Sequence, residues 1–126
     1  MYNGVLEKMI TLQKNEDMLP EVIKNEIIES LQVIGPETVI LFGSYAYGTP
    51  NKDSDIDLYV VTKEDFIPEN FEQNLQIKKK VYMALSNFRK KYASDIIVHT
   101  LPVHEKFIEL GSSFSKEITQ KGIVLI

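Results

Sequence analysis

Residues 41–60, with the sequence LFGSYAYGTPNKDSDIDLYV, decide the fold of this chain. They overlap the end of an apolar, largely β-branched run, Thr38–Phe42, which is typical of a buried strand. The following segment, Gly43–Asp53, is rich in Gly, Ser, Pro and Asn and predicts a turn and loop. Strand chemistry then returns at Ile56–Val61. Because the two strands are close in sequence, we expect them to be neighbours in one sheet.

Helices and further strands are predicted on both sides of this stretch. We therefore expect the α/β class, more specifically α+β, with a small mixed β-sheet backed by helices. The apolar spacing predicts helices over Pro20–Ile34, from about Asn70 to Tyr92, over Val103–Leu110 and around Phe114 and Ile118, a third strand over Ser94–Thr100, and an additional edge strand in Ile123–Ile126.

The size and composition predict one globular domain. The chain has 126 residues, of which 44% are hydrophobic and 25% are charged, so a hydrophobic core can form without stabilising cross-links. We assign residues 1–126 to a single domain. A weak helical stripe before Asp17 predicts an N-terminal arm or helix at residues 1–18, which could pack on another chain.

Charge, cysteine content and hydropathy limit the cellular compartments and the partners that are expected for this chain. A net charge of -4 argues against a protein whose main task is to grip long nucleic acid. The chain has no cysteine, which fits a reducing cytosol and removes thiolate metal sites. No stretch approaches the ~20 apolar residues that cross a bilayer. We predict a cytoplasmic protein with no membrane partner.

Gly43 and Ser44 follow the first predicted strand and lead into a predicted short helix. Backbone N–H groups at the start of a helix, together with a serine hydroxyl, favour a bound phosphate, and glycine lets the backbone come close to it. Alone, this pair is more often a turn or a helix cap. The phosphate-binding interpretation depends on the acidic residues that follow.

Asp55 and Asp57 are two residues apart, so both carboxylates point to one face of the second predicted strand, while Ile56 points into the core. Carboxylates roughly 6.5 Å apart along a strand repel each other unless a cation lies between them. Mg²⁺ suits such a pair. Asp95 opens the third strand, and if that strand pairs beside the second, the three carboxylates can hold two ions about 3.5 to 4 Å apart. Solvated strand ends would explain the same acids without a metal.

The order Gly43-Ser44 followed by Ser54–Leu58, written SDIDL, resembles the signature of the DNA polymerase beta-like nucleotidyltransferase superfamily. The small size is similar to the minimal nucleotidyltransferases, the MNT group. The resemblance implies that Gly43 and Ser44 bind the triphosphate of ATP or another NTP, and that Asp55 and Asp57 bind both metal ions. It also implies that Asp95 is the third metal ligand and accepts the attacking proton.

One position departs from this pattern. Many members carry Arg between the residues that correspond to Ala46 and Gly48, and here Tyr47 stands instead. Lys52 is predicted to replace the lost phosphate contact. His99 and His104 show no metal-binding spacing, and we interpret them as ordinary surface or hydrogen-bonded histidines.

The acceptor follows only from the resemblance. Minimal members pair with a small helical HEPN-type protein, which implies an antitoxin that transfers AMP to a hydroxyl on its partner protein. The alternative is a non-catalytic module of the same fold that neutralises or scaffolds a helical partner, for which Tyr47 is the motivation. A homodimer through residues 1–18 or a sheet edge is compatible with both functions.

Overall fold

The structure is a computed structural model that describes residues 19–126, so the arm predicted at residues 1–18 lies outside the described residues. The described residues form four strands and six helices, which confirms the predicted mixed α/β class. In chain order they are α1 (Glu21–Gln32), β1 (Thr38–Phe42), α2 (Ser44–Tyr47), β2 (Ile56–Val61), α3 (Phe71–Ala84), α4 (Ser86–Lys91), β3 (Ser94–His99), α5 (Leu101–Leu110), α6 (Ser113–Lys121) and β4 (Ile123–Val124).

The sheet has the strand order β3-β2-β1-β4. β1 pairs antiparallel with β2 and with β4, while β2 and β3 run parallel. The predicted neighbours β1 and β2 are confirmed, as is the edge strand near the C-terminus. β2 and β1 occupy the centre of the sheet, where strands are shielded by neighbours on both sides, in keeping with their apolar, β-branched sequences.

One predicted helix is divided, and the other predicted boundaries differ from the observed ones by at most two residues. The helix expected from about Asn70 to Tyr92 is divided at Leu85, whose φ of −95° and ψ of 11° depart from helical values. No glycine or proline marks this point, so the apolar spacing runs through it, and Leu85 is fully buried. The helix expected at Val103 begins at Leu101, and Pro102 lies in its first turn. Proline is tolerated there because backbone N–H groups in the first turn of a helix have no partner within the helix.

Both faces of the sheet are covered. Alternate residues of β2, such as Leu58 and Val60, pack with the helices α1, α3 and α4 in the larger core. The intervening residues, Tyr59 and Val61, are fully buried in a second core that contains Ile118 of α6. The larger core was expected from the sequence, whereas the second one was not. Among the described residues, no helix is both long and apolar enough to cross a membrane.

A hydrogen-bonded group of aromatic residues links β2, β3 and α5 in the second core. The Tyr59 hydroxyl lies 3.0 Å from Nδ1 of His99 and 2.8 Å from Nδ1 of His104. The ring of Phe107 stacks on Tyr59 with 5.4 Å between centroids. Both histidines are hydrogen-bonded, as expected. This group fixes α5 against the strands that carry the acidic residues Asp57 and Asp95.

We expect the free energy of unfolding to decrease as the pH is lowered through about 6.5. Burial lowers the pKa of His99 and of His104 in the folded protein. Below about pH 6.5 the unfolded chain therefore binds more protons than the folded one. The stabilisation is complete above that pH and is lost as the pH falls towards the folded-state pKa values. Urea titrations from about pH 7.5 to about pH 5 measure it.

The chain has only 2 histidines, so the control is direct. The double variant His99→Gln/His104→Gln should be less stable at neutral pH but should lose most of the pH dependence in this range. Equal slopes for the wild type and this variant would contradict the assignment.

Candidate active site

The candidate site lies where β1 ends and β2 begins. Because the two strands are antiparallel, Phe42 at the end of β1 is the partner of Asp57 near the start of β2. The residue after Phe42 is Gly43, so the strand-to-helix turn comes directly beside the Asp57 side chain. The sequence motif is thus folded back on itself, and its glycine and its acidic residues meet at one end of the sheet.

Gly43 fits this position because it has no side chain. Its φ is 73°, a left-handed conformation that other residues rarely adopt. A Cβ added here would overlap Oδ2 of Asp57 and lie 2.9 Å from its Cγ. The carbonyl oxygen of Gly43 accepts hydrogen bonds from the backbone N–H groups of Ala46 and Tyr47, which form the first turn of α2. The absence of a side chain keeps the Asp57 carboxylate accessible from the turn.

The structure brings the three predicted acidic residues together. Asp57 of β2 is paired with Asp95 of β3, so their side chains lie on the same face of adjacent parallel strands. Asp55 lies one residue before the start of β2, not inside the strand as expected. Asp55 and Asp95 are exposed, whereas Asp57 is half-buried. The parallel β2–β3 pairing, which the sequence left open, is what adds Asp95 to the motif.

The closeness of the three carboxylates affects the pKa of Asp57 and the charge of the site. Burial raises the pKa of Asp57, and the negative charges of Asp95 and Asp55 raise it further. Within residues 19–126, none of the three carboxylates forms an ion pair with Lys, Arg or His. The site therefore has an excess of negative charge that a bound cation would neutralise.

The three carboxylates suit a hard, oxygen-binding cation that takes its remaining ligands from a bound substrate. Among residues 19–126, no three His, Asp or Glu side chains lie close enough together to hold a metal ion by themselves. Mg²⁺ does not need such a cage, because it usually binds one or two carboxylates together with substrate phosphates and water. Carboxylates that are exposed or half-buried, unpaired and adjacent to a glycine turn match that requirement better than they match a closed structural site.

Of the residues predicted to bind phosphate, Ser44 lies next to the carboxylates and Lys52 does not contact them. Ser44 is the first residue of α2 and adjoins Gly43, next to the carboxylates. Lys52 is exposed in the turn before β2, and in the part of the chain that is described it has no ion-pair partner. Hydrogen bonds between Asn51, Asp53 and Ser54 hold that turn. Ser44 is therefore part of the site because it directly follows Gly43 in the chain. No ion pair among residues 19–126 connects Lys52 with the site.

Tyr47 packs against α6 instead of facing solvent. Its hydroxyl is buried and makes no hydrogen bond of normal geometry with residues 19–126. Burial is the main cause of its raised pKa, to which nearby Glu117 and Asp57 also contribute. The Nζ atom of Lys121 lies 6.0 Å from the centre of its ring. The sequence pattern could not indicate Glu117 and Lys121, because they reach the site through the packing of a distant helix.

A groove of about 540 Å³ lies elsewhere, along the outer edge of β3. Its walls include Ile96 to Thr100 and the start of α3 around Phe71. None of the predicted site residues contributes to it. The predicted site residues therefore lie at the end of the sheet and not in this groove.

We expect Asp57→Asn to stabilise the ligand-free protein at neutral pH. The raised pKa of Asp57 means that its ionised form destabilises the fold, and the amide removes that charge without changing the shape. The stability associated with the protonated form is present below the unfolded-state pKa and is lost as the pH rises through the folded-state pKa. The gain in Tm should therefore amount to a few degrees, roughly, at pH 7 and should vanish in acid below about pH 4.

The matched control is Asp65→Asn, which removes an exposed carboxylate away from the site. Its Tm should stay close to that of the wild type. Differential scanning calorimetry without added metal makes the comparison. A lower Tm for Asp57→Asn than for the wild type would show that the three carboxylates do not repel one another as described.

We expect Gly43→Ala to reduce the free energy of unfolding by more than Gly48→Ala. Both glycines have positive φ values, 73° and 77°, so both substitutions carry a conformational penalty of about 1 kcal/mol or more. Only at Gly43 does the new methyl group also meet the Asp57 carboxylate, since no atom lies within 4 Å of a Cβ at Gly48. Urea denaturation measures the difference, and equal losses would refute the close contact.

Comparisons with known proteins show the family of this chain. A family model described as "Polymerase beta, Nucleotidyltransferase" matches residues 21–126. A curated protein of Methanocaldococcus jannaschii named "Putative protein adenylyltransferase" is 33% identical over 87 residues, which span 69% of this chain and 76% of that protein.

Solved structures resemble the chain more distantly. One, described as a toxin-antitoxin with AMP-PNP, has 24% identity and a TM-score of 0.47, and the match covers 82% of this chain and 72% of the other. Another is a tri-AMPylated Shewanella oneidensis HEPN toxin in complex with MNT antitoxin, with 21% identity, a TM-score of 0.43, and coverage of 84% and 71%. These scores add nothing to the assignment. The family model and the archaeal relative suffice to show that the chain belongs to the polymerase beta nucleotidyltransferase family.

Proposed function

We propose that this protein, acting as a single domain in the cytoplasm, transfers AMP from ATP to a hydroxyl group on a partner protein. The observation that carries the proposal is the meeting of three unpaired carboxylates, Asp55, Asp57 and Asp95, with the Gly43 turn at one end of the sheet. Family membership supplies the reaction class, nucleotidyl transfer.

Asp55, Asp57 and Asp95 are the residues that would hold Mg²⁺, for which we expect two ions. When bound, such ions neutralise the triphosphate and favour in-line displacement at phosphorus. The raised pKa of Asp57 supports this role, because a carboxylate crowded by like charges gains most from a cation. The exposure of Asp55 and Asp95 leaves room for phosphate oxygens and water beside them.

Gly43 and Ser44 would receive the triphosphate. The left-handed turn at Gly43 presents backbone next to the carboxylates, and the absence of a Cβ makes room for the Asp57 carboxylate beside it. The Ser44 hydroxyl would add a neutral donor. Lys52, on its exposed turn, would contribute a positive charge if the turn bends towards the ligand.

In the transfer step, the acceptor hydroxyl oxygen attacks the α-phosphorus of ATP. A new P–O bond forms to the acceptor, and the bond between the α-phosphorus and the bridging oxygen breaks, so pyrophosphate leaves. Asp95 would take the proton of the hydroxyl, because it is exposed at the rim of the site, where a protein acceptor can reach it. Asp57, which is half-buried, would remain fixed against Gly43.

A protein acceptor is supported by the name of the archaeal relative, "Putative protein adenylyltransferase". The resemblance to minimal nucleotidyltransferases supports a HEPN-type helical protein as acceptor, with this chain as the antitoxin of the pair. A homodimer is compatible with this role.

The alternative function is a non-catalytic module that neutralises a helical partner by contact. Its support is Tyr47, which fills the place of an expected arginine with a buried phenol. Against it, all three acidic residues are retained and lie together. A degenerate enzyme has no need of this arrangement, since it destabilises the ligand-free fold.

The proposal predicts transfer of radiolabel from α-³²P-labelled ATP to a HEPN-type protein encoded next to this chain, in the presence of Mg²⁺. Asp57→Asn should reduce the rate by at least about 100-fold, because it removes a carboxylate that binds both proposed ions. Asp65→Asn is the matched control and should react like the wild type. A gel assay with mass spectrometry of the acceptor detects the adduct.

The same variants separate the two functions. Under the catalytic proposal, Asp57→Asn folds and binds the partner but fails to modify or neutralise it. Full neutralisation by Asp57→Asn, with no label transferred by the wild type, would replace the enzyme by the binding module.

A further inference from the structure

The turn that would bind the triphosphate lacks a positively charged side chain. Residues 43–48 have the sequence GSYAYG, without Lys or Arg. Metal ions neutralise part of a triphosphate, and enzymes that transfer phosphoryl groups commonly add cationic side chains at its oxygens. A cation from another element would serve here, and the positions of the other lysines decide which one is suitable.

The sheet pairing brings the end of α6 close to this turn. β4 pairs with β1 through Ile40↔Val124 and Leu41↔Ile123. Gly122, which follows Lys121, packs against Ile40 and the carbonyl group of Leu41. The end of α6 therefore lies near the end of β1, where the turn begins, although the two are far apart in the sequence.

Side-chain positions agree with the register. The Nζ atom of Lys121 lies 6.0 Å from the ring centre of Tyr47. Tyr47 in turn lies close enough to Asp57 for the carboxylate charge to raise its pKa, after the larger effect of burial. Tyr47 is thus near both the ammonium group of Lys121 and the Asp57 carboxylate. The side-chain distance and the packing of Gly122 on the end of β1 both place Lys121 beside the turn.

The end of α6 is held firmly in this place. Ile118 is fully buried in the second core, and the Ser112 hydroxyl caps the start of the helix by accepting from the N–H of Ser115. A Cβ on Gly122 would overlap the side chain of Ile40 and lie 3.2 Å from the carbonyl oxygen of Leu41. The glycine therefore allows the helix end to press against β1, which fixes the backbone of Lys121.

Lys121 is also available. It is exposed, and no carboxylate in the described part of the chain forms an ion pair with it. Glu117 lies four residues earlier on the same helix, a spacing that often gives an ion pair, but it is oriented towards Tyr47. A favourable interaction with the end of the helix would account for a lysine here, but not for its position beside the Gly43 turn.

We propose that Lys121 binds the phosphate groups of the nucleotide and replaces the arginine that Tyr47 displaces from the turn. The proposal rests on the proposed function, since it assigns a further residue to the same triphosphate site. The flat ring of Tyr47 supports the aliphatic part of the lysine side chain, and the ammonium group extends beyond it to the phosphate oxygens. The charge that is absent from the turn is thereby supplied by the C-terminal helix.

The test is titration calorimetry of MgATP and of magnesium tripolyphosphate, which reports on the phosphates alone. We expect Lys121→Met to raise Kd for both ligands about tenfold, the loss typical of a charge-assisted hydrogen bond. Lys121→Arg should restore binding to within about threefold of the wild type, because it keeps the charge. Lys116→Met removes an exposed lysine from the same helix and is the matched control. Asp57→Asn reports on the metal-dependent site itself.

The outcomes are distinct. Weaker binding of both ligands by Lys121→Met, with Lys116→Met unchanged, supports the proposal. Equal binding by Lys121→Met and the wild type, with binding lost in Asp57→Asn, overturns the role of Lys121 and leaves the proposed function standing. No binding of MgATP to the wild type overturns both. Lys121→Gln and melting temperatures without ligand are measured in parallel, so that a folding defect in one variant is recognised.

Discussion

The close approach of Gly43 to the Asp57 carboxylate is the contact on which the rest of this structure depends. The turn can only take this course with a glycine, since any Cβ would occupy the position of a carboxylate oxygen. The contact joins the end of β1 to the start of β2, and the parallel pairing with β3 then adds Asp95. Three like charges are thus gathered at one end of the sheet. Burial raises the pKa of Asp57, and the charges of Asp95 and Asp55 raise it further, so the ionised site reduces stability until a cation is bound.

The two cores offset this local cost and keep the carboxylates in place. β2 is buried on both faces, by α1, α3 and α4 on one side and by the Tyr59 group and Ile118 on the other. A slip of this strand by one residue would move each side chain from one core into the other, where the surrounding side chains are packed for a different shape. The spacing of Asp55 and Asp57 is therefore set by the packing of their apolar neighbours, and a ligand meets a site that is already arranged.

The sequence was a good guide to local structure and a poor one to contacts between distant elements. β1 and β2 were predicted with their observed bounds, because each is a short apolar run between strong turn signals. The division of the long helix at Leu85 was missed, since no glycine or proline marks it. The second core was missed as well, because a sequence pattern does not reveal which helices cover the remaining face of a sheet. For the same reason Glu117 and Lys121 could not be predicted: their proximity to the turn arises from the β1–β4 register, which local patterns do not encode.

A phosphate-binding cation on α6 would change how the site depends on the fold. An arginine within the turn is positioned by the turn itself, whereas Lys121 reaches it only while β4 remains paired with β1 at the sheet edge. That pairing spans two residues on each strand and is extended by hydrogen bonds between Val39 and the final residues, Leu125 and Ile126. Short edge strands are usually among the less stable parts of a sheet. Loss of the C-terminal pairing would then weaken nucleotide binding before it disturbed the carboxylates, because Asp55, Asp57 and Asp95 are held by the opposite half of the sheet.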